Sequence, residues 1–153
     1  MKGKLRIIIG AAAAILAAVS VFVLFANGIG SEGGMASMRG NTFQIMFGTG
    51  MAGTNAIPLL ILAFSFECAC IGLALFAGFM PGVIGKGLFG VSTALLVTAG
   101  ILFLNTRTFY LNANYVSPTG YGLGNIGPGP ICSAIFAFVS AIVCAYGVVR
   151  KEN

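Results

Sequence analysis

Four runs of this chain, residues 5–25, 57–79, 88–104 and 131–149, are apolar almost without interruption. A helix needs about 20 apolar residues to cross a hydrocarbon core about 30 Å thick. Backbone polar groups in that core must be satisfied internally, so runs of this kind cross as helices. The expected fold is therefore an all-α integral membrane protein, a four-transmembrane-helix bundle. Charge content agrees: 7% of residues are charged, against about 25% in soluble domains. Residues 1–153 are read as a single membrane domain.

The links between the runs are two long outer loops, 26–56 and 105–130, and an inner turn, 80–87. Pro58 suits the first turn of the second span, and Met80-Pro81-Gly82 stops it in a tight helical hairpin. Lys and Arg bias a loop to the cytoplasm. With the N-terminus inside, Lys2, Lys4, Arg6, Lys86, Arg150 and Lys151 are cytoplasmic, and Arg39 and Arg107 are outside. The expected topology is N-in and C-in. The same placement accounts for the net charge of +5: the basic partner surface is the lipid bilayer, not nucleic acid. The first span has a basic start like that of a signal peptide, but its apolar run exceeds the usual 7–15 residues. A cut after Ala26 would also find Leu24 where a small residue is wanted. Retention of this span is expected. The absence of N-x-S/T sites and of loop cysteines points to a prokaryotic plasma membrane.

Membrane helices associate through small residues that let backbones approach. The fourth span has Ser133, Ala137, Ser140, Cys144 and Gly147 on one face, and the second has Ala63, Glu67, Cys70, Ala74 and Ala77. The third offers Gly87, Gly90, Ala94 and Thr98, and the first Gly10, Ala14 and Ala18. Four small faces predict a compact bundle.

Glu67 sits near the middle of the second span. An acid there costs on the order of 3 kcal/mol to insert, and desolvation favours its neutral form. By residue counting, Thr98 and Ser140 fall at its depth, and the expected intramembrane polar site is Glu67, Thr98 and Ser140. Such a site has two readings: a clip between helices through hydrogen bonds, or a proton or cation site.

Several motifs carry less than their pattern suggests. Gly48-Thr49-Gly50-Met51-Ala52-Gly53 matches a dinucleotide fingerprint, which works only inside a βαβ unit; here it lies in an outer loop. Thr119-Gly120-Tyr121-Gly122 is one residue short of a potassium filter and reads as a surface turn. Cys68 and Cys70 are two apart on a helix and point to nearly opposite sides. In the outer segments, the alternation at 42–47 and the Thr, Tyr and Phe content of 106–116 predict two strands pairing into a small extracellular β cap. Tyr110, Tyr115 and Tyr121 would suit the interface. Four spans with a long first outer loop resemble claudins and other tetraspanning proteins in layout alone. The claudin loop signature of tryptophan and paired cysteines has no counterpart here.

The chain contains no histidine, the usual base near neutral pH and the commonest metal ligand. No cofactor and no metal site are expected, and an enzyme is not expected. Arg39 and Arg107 could hold a phosphate head group, but Glu32 is the sole outer acid, too little for catalysis on lipid. The favoured function is protein–protein contact, as an accessory subunit or self-assembling scaffold, with a homo-oligomer or a membrane protein as partner. The alternative is an oligomeric proton- or cation-coupled transporter or channel that uses Glu67.

Overall fold

The computed structural model describes residues 2–29, 40–49, 55–114 and 126–150. Its elements in chain order are α1 (Lys2–Val23), β1 (Asn27–Ile29), β2 (Gly40–Asn41), α2 (Thr42–Phe47), α3 (Pro58–Phe79), α4 (Gly82–Leu104), α5 (Thr106–Ala113) and α6 (Pro128–Val149). The helices α1, α3, α4 and α6 are long and apolar enough to cross a membrane. Proline stands at the start of α3 and of α6, where its missing N–H costs nothing. The turn between α3 and α4 is shorter than 80–87, because the helix resumes at Gly82, whose φ of 67° a residue with a side chain rarely adopts.

The four long helices form a ring in which α1 packs on α3 and α6, and α4 packs on the same two. Each neighbour runs antiparallel to the next. Arg6 Nε donates to Gly78 O at 3.1 Å near one end of α1, and Ser20 meets Glu67 near the other. Ser140 Oγ donates to Ala13 O at 2.8 Å. Phe138 covers Gly100, and Phe89 covers Gly147. The start of α1 and the end of α6 therefore lie at one end of the bundle. Gly10 sets the close approach of α1 to α3: a Cβ there would stand 2.5 Å from Ala74 O and 3.0 Å from Gly78 Cα. Ile15, Phe22, Phe76, Ile101, Ile135 and Ile142 point outward and are exposed, a surface suited to lipid rather than water.

The interior divides along its length. One apolar cluster holds Ala13, Ala17, Cys70, Ala74, Phe89, Leu96, Ala137 and Cys144. The second holds Leu24, Ile45, Met46, Leu60, Ala63, Ala99, Phe103, Tyr110 and Ala134. Ser20 falls between Ala17 and Leu24 on α1, and Glu67 between Ala63 and Cys70 on α3, so a polar layer separates the two clusters.

The second cluster is roofed by the short elements. β1 pairs antiparallel with β2, Asn27 opposite Asn41. Phe43 of α2 stacks on Phe25 at 5.3 Å and meets Phe64 edge-on at 5.8 Å. Asn55 N donates to Asn114 Oδ1, and Asn55 Nδ2 to Ala113 O, both at 2.8 Å. The strands expected at 42–47 and 106–116 are instead helices as far as they are described. At 42–47 a capping box decides: Gln44 N donates to Asn41 Oδ1 at 2.7 Å, and Asn41 N donates to Gln44 Oε1 at 3.2 Å. That pair starts a helix, and a six-residue run is too short for alternation to overrule it. At 106–113, Thr106, Tyr110 and Leu111 are buried at helical spacing. The extended pair that does form lies between α1 and α3. Glu32, Arg39, Gly50–Gly53, Tyr115, Val116 and the turn expected at 119–122 lie outside the described residues.

Candidate functional site

Glu67 is 0% exposed. Three helices close around its carboxyl group. α3 presents it in its third turn, α1 brings Ser20 in its last turn, and α6 brings Ser133 in its second. Glu67 Oε1 is hydrogen-bonded with the Ser20 hydroxyl and lies 3.4 Å from Ser133 Oγ. Ser20 Oγ donates to the Ser133 carbonyl oxygen at 2.7 Å, and the two serine hydroxyls are 2.8 Å apart. Glu67 Oε2 is buried without a hydrogen-bond partner among the described residues.

The residues grouped with Glu67 by depth go elsewhere. Ser140 is buried on the α1 side of α6, its hydroxyl donating to Ala13 O at 2.8 Å. Thr98 is exposed and returns its hydroxyl to Ala94 O of its own helix at 2.9 Å. The physical reason is the lean of helical side chains. A long side chain points back over the turn N-terminal to its Cα, so the Glu67 carboxyl stands nearer the start of α3 than its residue number implies. That end is where α1 finishes and α6 begins. Ser20 was detectable in sequence as the sole hydroxyl residue of α1; Ser133 was on the predicted small face of its span. What counting omitted was the reach of the acid itself.

Faces, like depth, are resolved unevenly. Ala63, Glu67, Cys70, Ala74 and Ala77 of α3 are all buried, as are Ser133, Ala137, Ser140 and Cys144 of α6. On α4 the buried face is Gly85, Phe89, Ser92, Leu96, Ala99, Gly100 and Phe103. Gly87, Ala94 and Thr98 are exposed and Gly90 is half-buried, so the small face expected inside lies outside. The four cysteines are free, Cys70 and Cys144 being buried.

Of the two cations expected outside, Arg107 lies in the first turn of α5 and is half-buried, and Arg39 lies outside the described residues. Among the described residues there is no group of three His, Cys, Asp or Glu side chains placed to hold a metal ion. No protein-family model, curated protein or solved structure matches this chain.

Proposed function

We propose that this chain works through contacts within the membrane, as an accessory subunit or self-assembling scaffold, and not by catalysis. The observation that carries this reading is the outward face of α4, where Gly87, Ala94 and Thr98 are exposed. Small residues at that spacing let a second helix approach closely, and the described helices leave this face uncovered. The partner is a second copy or another membrane protein. The test is cross-linking in native membranes through Ala94→Cys, with Cys68→Ser to remove the exposed native thiol. A cross-linked homodimer or partner adduct is expected; a monomer with no cross-linkable neighbour overturns the reading.

The membrane is taken to be a prokaryotic plasma membrane, with both termini cytoplasmic and the roof of short elements outside. The six-to-two division of Lys and Arg supports this side assignment. A membrane-impermeant thiol reagent on intact cells is expected to label Thr49→Cys and not Met80→Cys. The reverse pattern would invert the topology.

A second reading, an oligomeric proton- or cation-coupled transporter or channel, is favoured by one observation: Glu67 Oε2 is buried with no hydrogen-bond partner among the described residues. It requires proton-, sodium- or potassium-coupled flux in proteoliposomes that Glu67→Gln abolishes. Flux absent from the wild type as well removes this reading.

A further inference from the structure

Three close oxygen–oxygen contacts converge on the Ser20 hydroxyl: Glu67 Oε1, the Ser133 carbonyl oxygen at 2.7 Å and Ser133 Oγ at 2.8 Å. None is longer than a hydrogen bond, and each needs a proton between its oxygens. The two serines bring one proton each, and the carbonyl can only accept. With Ser20 donating to the carbonyl, the Ser133 proton serves the contact between the hydroxyls. Nothing then remains for the contact with Glu67 unless the acid carries its own proton on Oε1. If Ser20 turned its proton to Glu67, its lone pairs would face those of the Ser133 carbonyl at 2.7 Å. Ser133 Oγ, at 3.4 Å from Oε1, is too far to substitute.

The unpartnered oxygen points the same way. Glu67 Oε2 is buried with no donor among the described residues. As the carbonyl oxygen of a neutral acid it loses one neutral hydrogen bond; as half of a carboxylate it would be a charged acceptor left bare, which costs more. Among the described residues, the groups packed around it offer no counter-charge. α1 contributes Ser20 at this level and carries Arg6 at its other end, against Gly78 O. α3 contributes Cys70, buried one turn on, and the exposed Cys68. α6 contributes Ser133, the half-buried Cys132 and, farther along, Cys144. On α4 the sole charged residue is Lys86, near its start.

We propose that Ser20, Glu67 and Ser133 form a proton-binding site, in which closure of α1 and α6 on α3 requires one proton on Glu67. Opening of this packing releases the proton, and a rise in pH favours opening. The sign follows from linkage: the closed state binds more protons than the open one, so its stability is greatest at low pH and falls as pH rises. The proposal holds whether the chain assembles or transports, and its test is independent of both.

The chain has three acidic residues, Glu32, Glu67 and Glu152. In the Glu32→Gln, Glu152→Gln double variant, Glu67 is the one side-chain carboxyl left. With δ-13C-glutamate incorporated and the protein in lipid vesicles at neutral pH, infrared spectroscopy reads that carboxyl alone. A protonated carboxylic-acid band is expected, giving way to a carboxylate band at high pH together with a fall in the thermal midpoint. A carboxylate band at neutral pH overturns the proposal, as does a thermal midpoint that stays level while the acid ionises. Because Glu67 itself is untouched, the result does not depend on a Glu67 variant folding.

Discussion

α3 and α4 have 22 and 23 residues, are almost entirely apolar and adjoin across a tight turn, yet the small faces read from their sequences point oppositely. On α3 the small face is buried; on α4 Gly87, Ala94 and Thr98 face out and Phe89, Leu96 and Phe103 fill the interior. Small spacing thus marks where a close approach is possible, not where it occurs. The polar residue within each face separates the two cases. The Thr98 hydroxyl is satisfied by Ala94 O one turn back, so that face can meet lipid at little cost. The Glu67 carboxyl finds no free donor on its own helix, whose interior N–H groups are engaged. It needs other helices, and that need turns α3 inward.

Moving the acid gives the largest expected effect. Thr98→Glu would place a carboxyl on the outward face of α4, with no Ser20 or Ser133 to meet it. The cost is about 3 kcal/mol, read as lost insertion of α4 or lost stability in vesicles. A silent Thr98→Glu would mean that the outward face of α4 is covered, and would sharpen the case for a partner there.

Glycines test the same contrast through volume. At Gly10 a methyl group would meet the backbone of α3 at 2.5 Å, whereas at Gly87 nothing lies within 4 Å. Gly10→Ala is expected to cost about 2 kcal/mol by forcing α1 and α3 apart. Gly87→Ala is expected to stay within about 0.5 kcal/mol. Thermal melts of both variants in one detergent decide the matter; equal losses would show that the Gly87 face of α4 is covered as closely as the Gly10 face of α1.

The sequence carried the four spans, because a run of apolar residues has one stable form in a bilayer. It carried the faces of α3 and α6 as well, where polar side chains on the small face agree with its burial. It did not carry the face of α4, because the bulky Phe89, Leu96 and Phe103 fit the space between α3 and α6 once the other helices contribute alanines. The partners of Glu67 were half legible: its depth was readable, but the direction in which its side chain leans was left out. The roof is ambiguous in sequence, because Thr42–Phe47 alternates like a strand while Asn41 and Gln44 cap it as a helix.

The smallest expected difference isolates the hydrogen bond itself. Ser20→Ala removes the hydroxyl at which all three close contacts meet. It leaves the Ser133 carbonyl without that donor and Glu67 Oε1 with Ser133 Oγ alone, at 3.4 Å. Hydrogen bonds between membrane helices are worth roughly 0.6 kcal/mol on average, up to about 1.7. Ser20→Ala is therefore expected to cost about 1 kcal/mol, since a buried carboxyl loses a partner and not merely a neutral hydroxyl. Thr98→Ala removes a hydroxyl that served only its own helix, on an exposed face, and alanine has the better helix propensity; its effect is expected within about 0.5 kcal/mol. Denaturant titration in mixed micelles compares them directly. Should Ser20→Ala be as mild as Thr98→Ala, the polar layer would not be what joins α1 and α6 to α3, and the inward turn of α3 would have to come from its alanines alone.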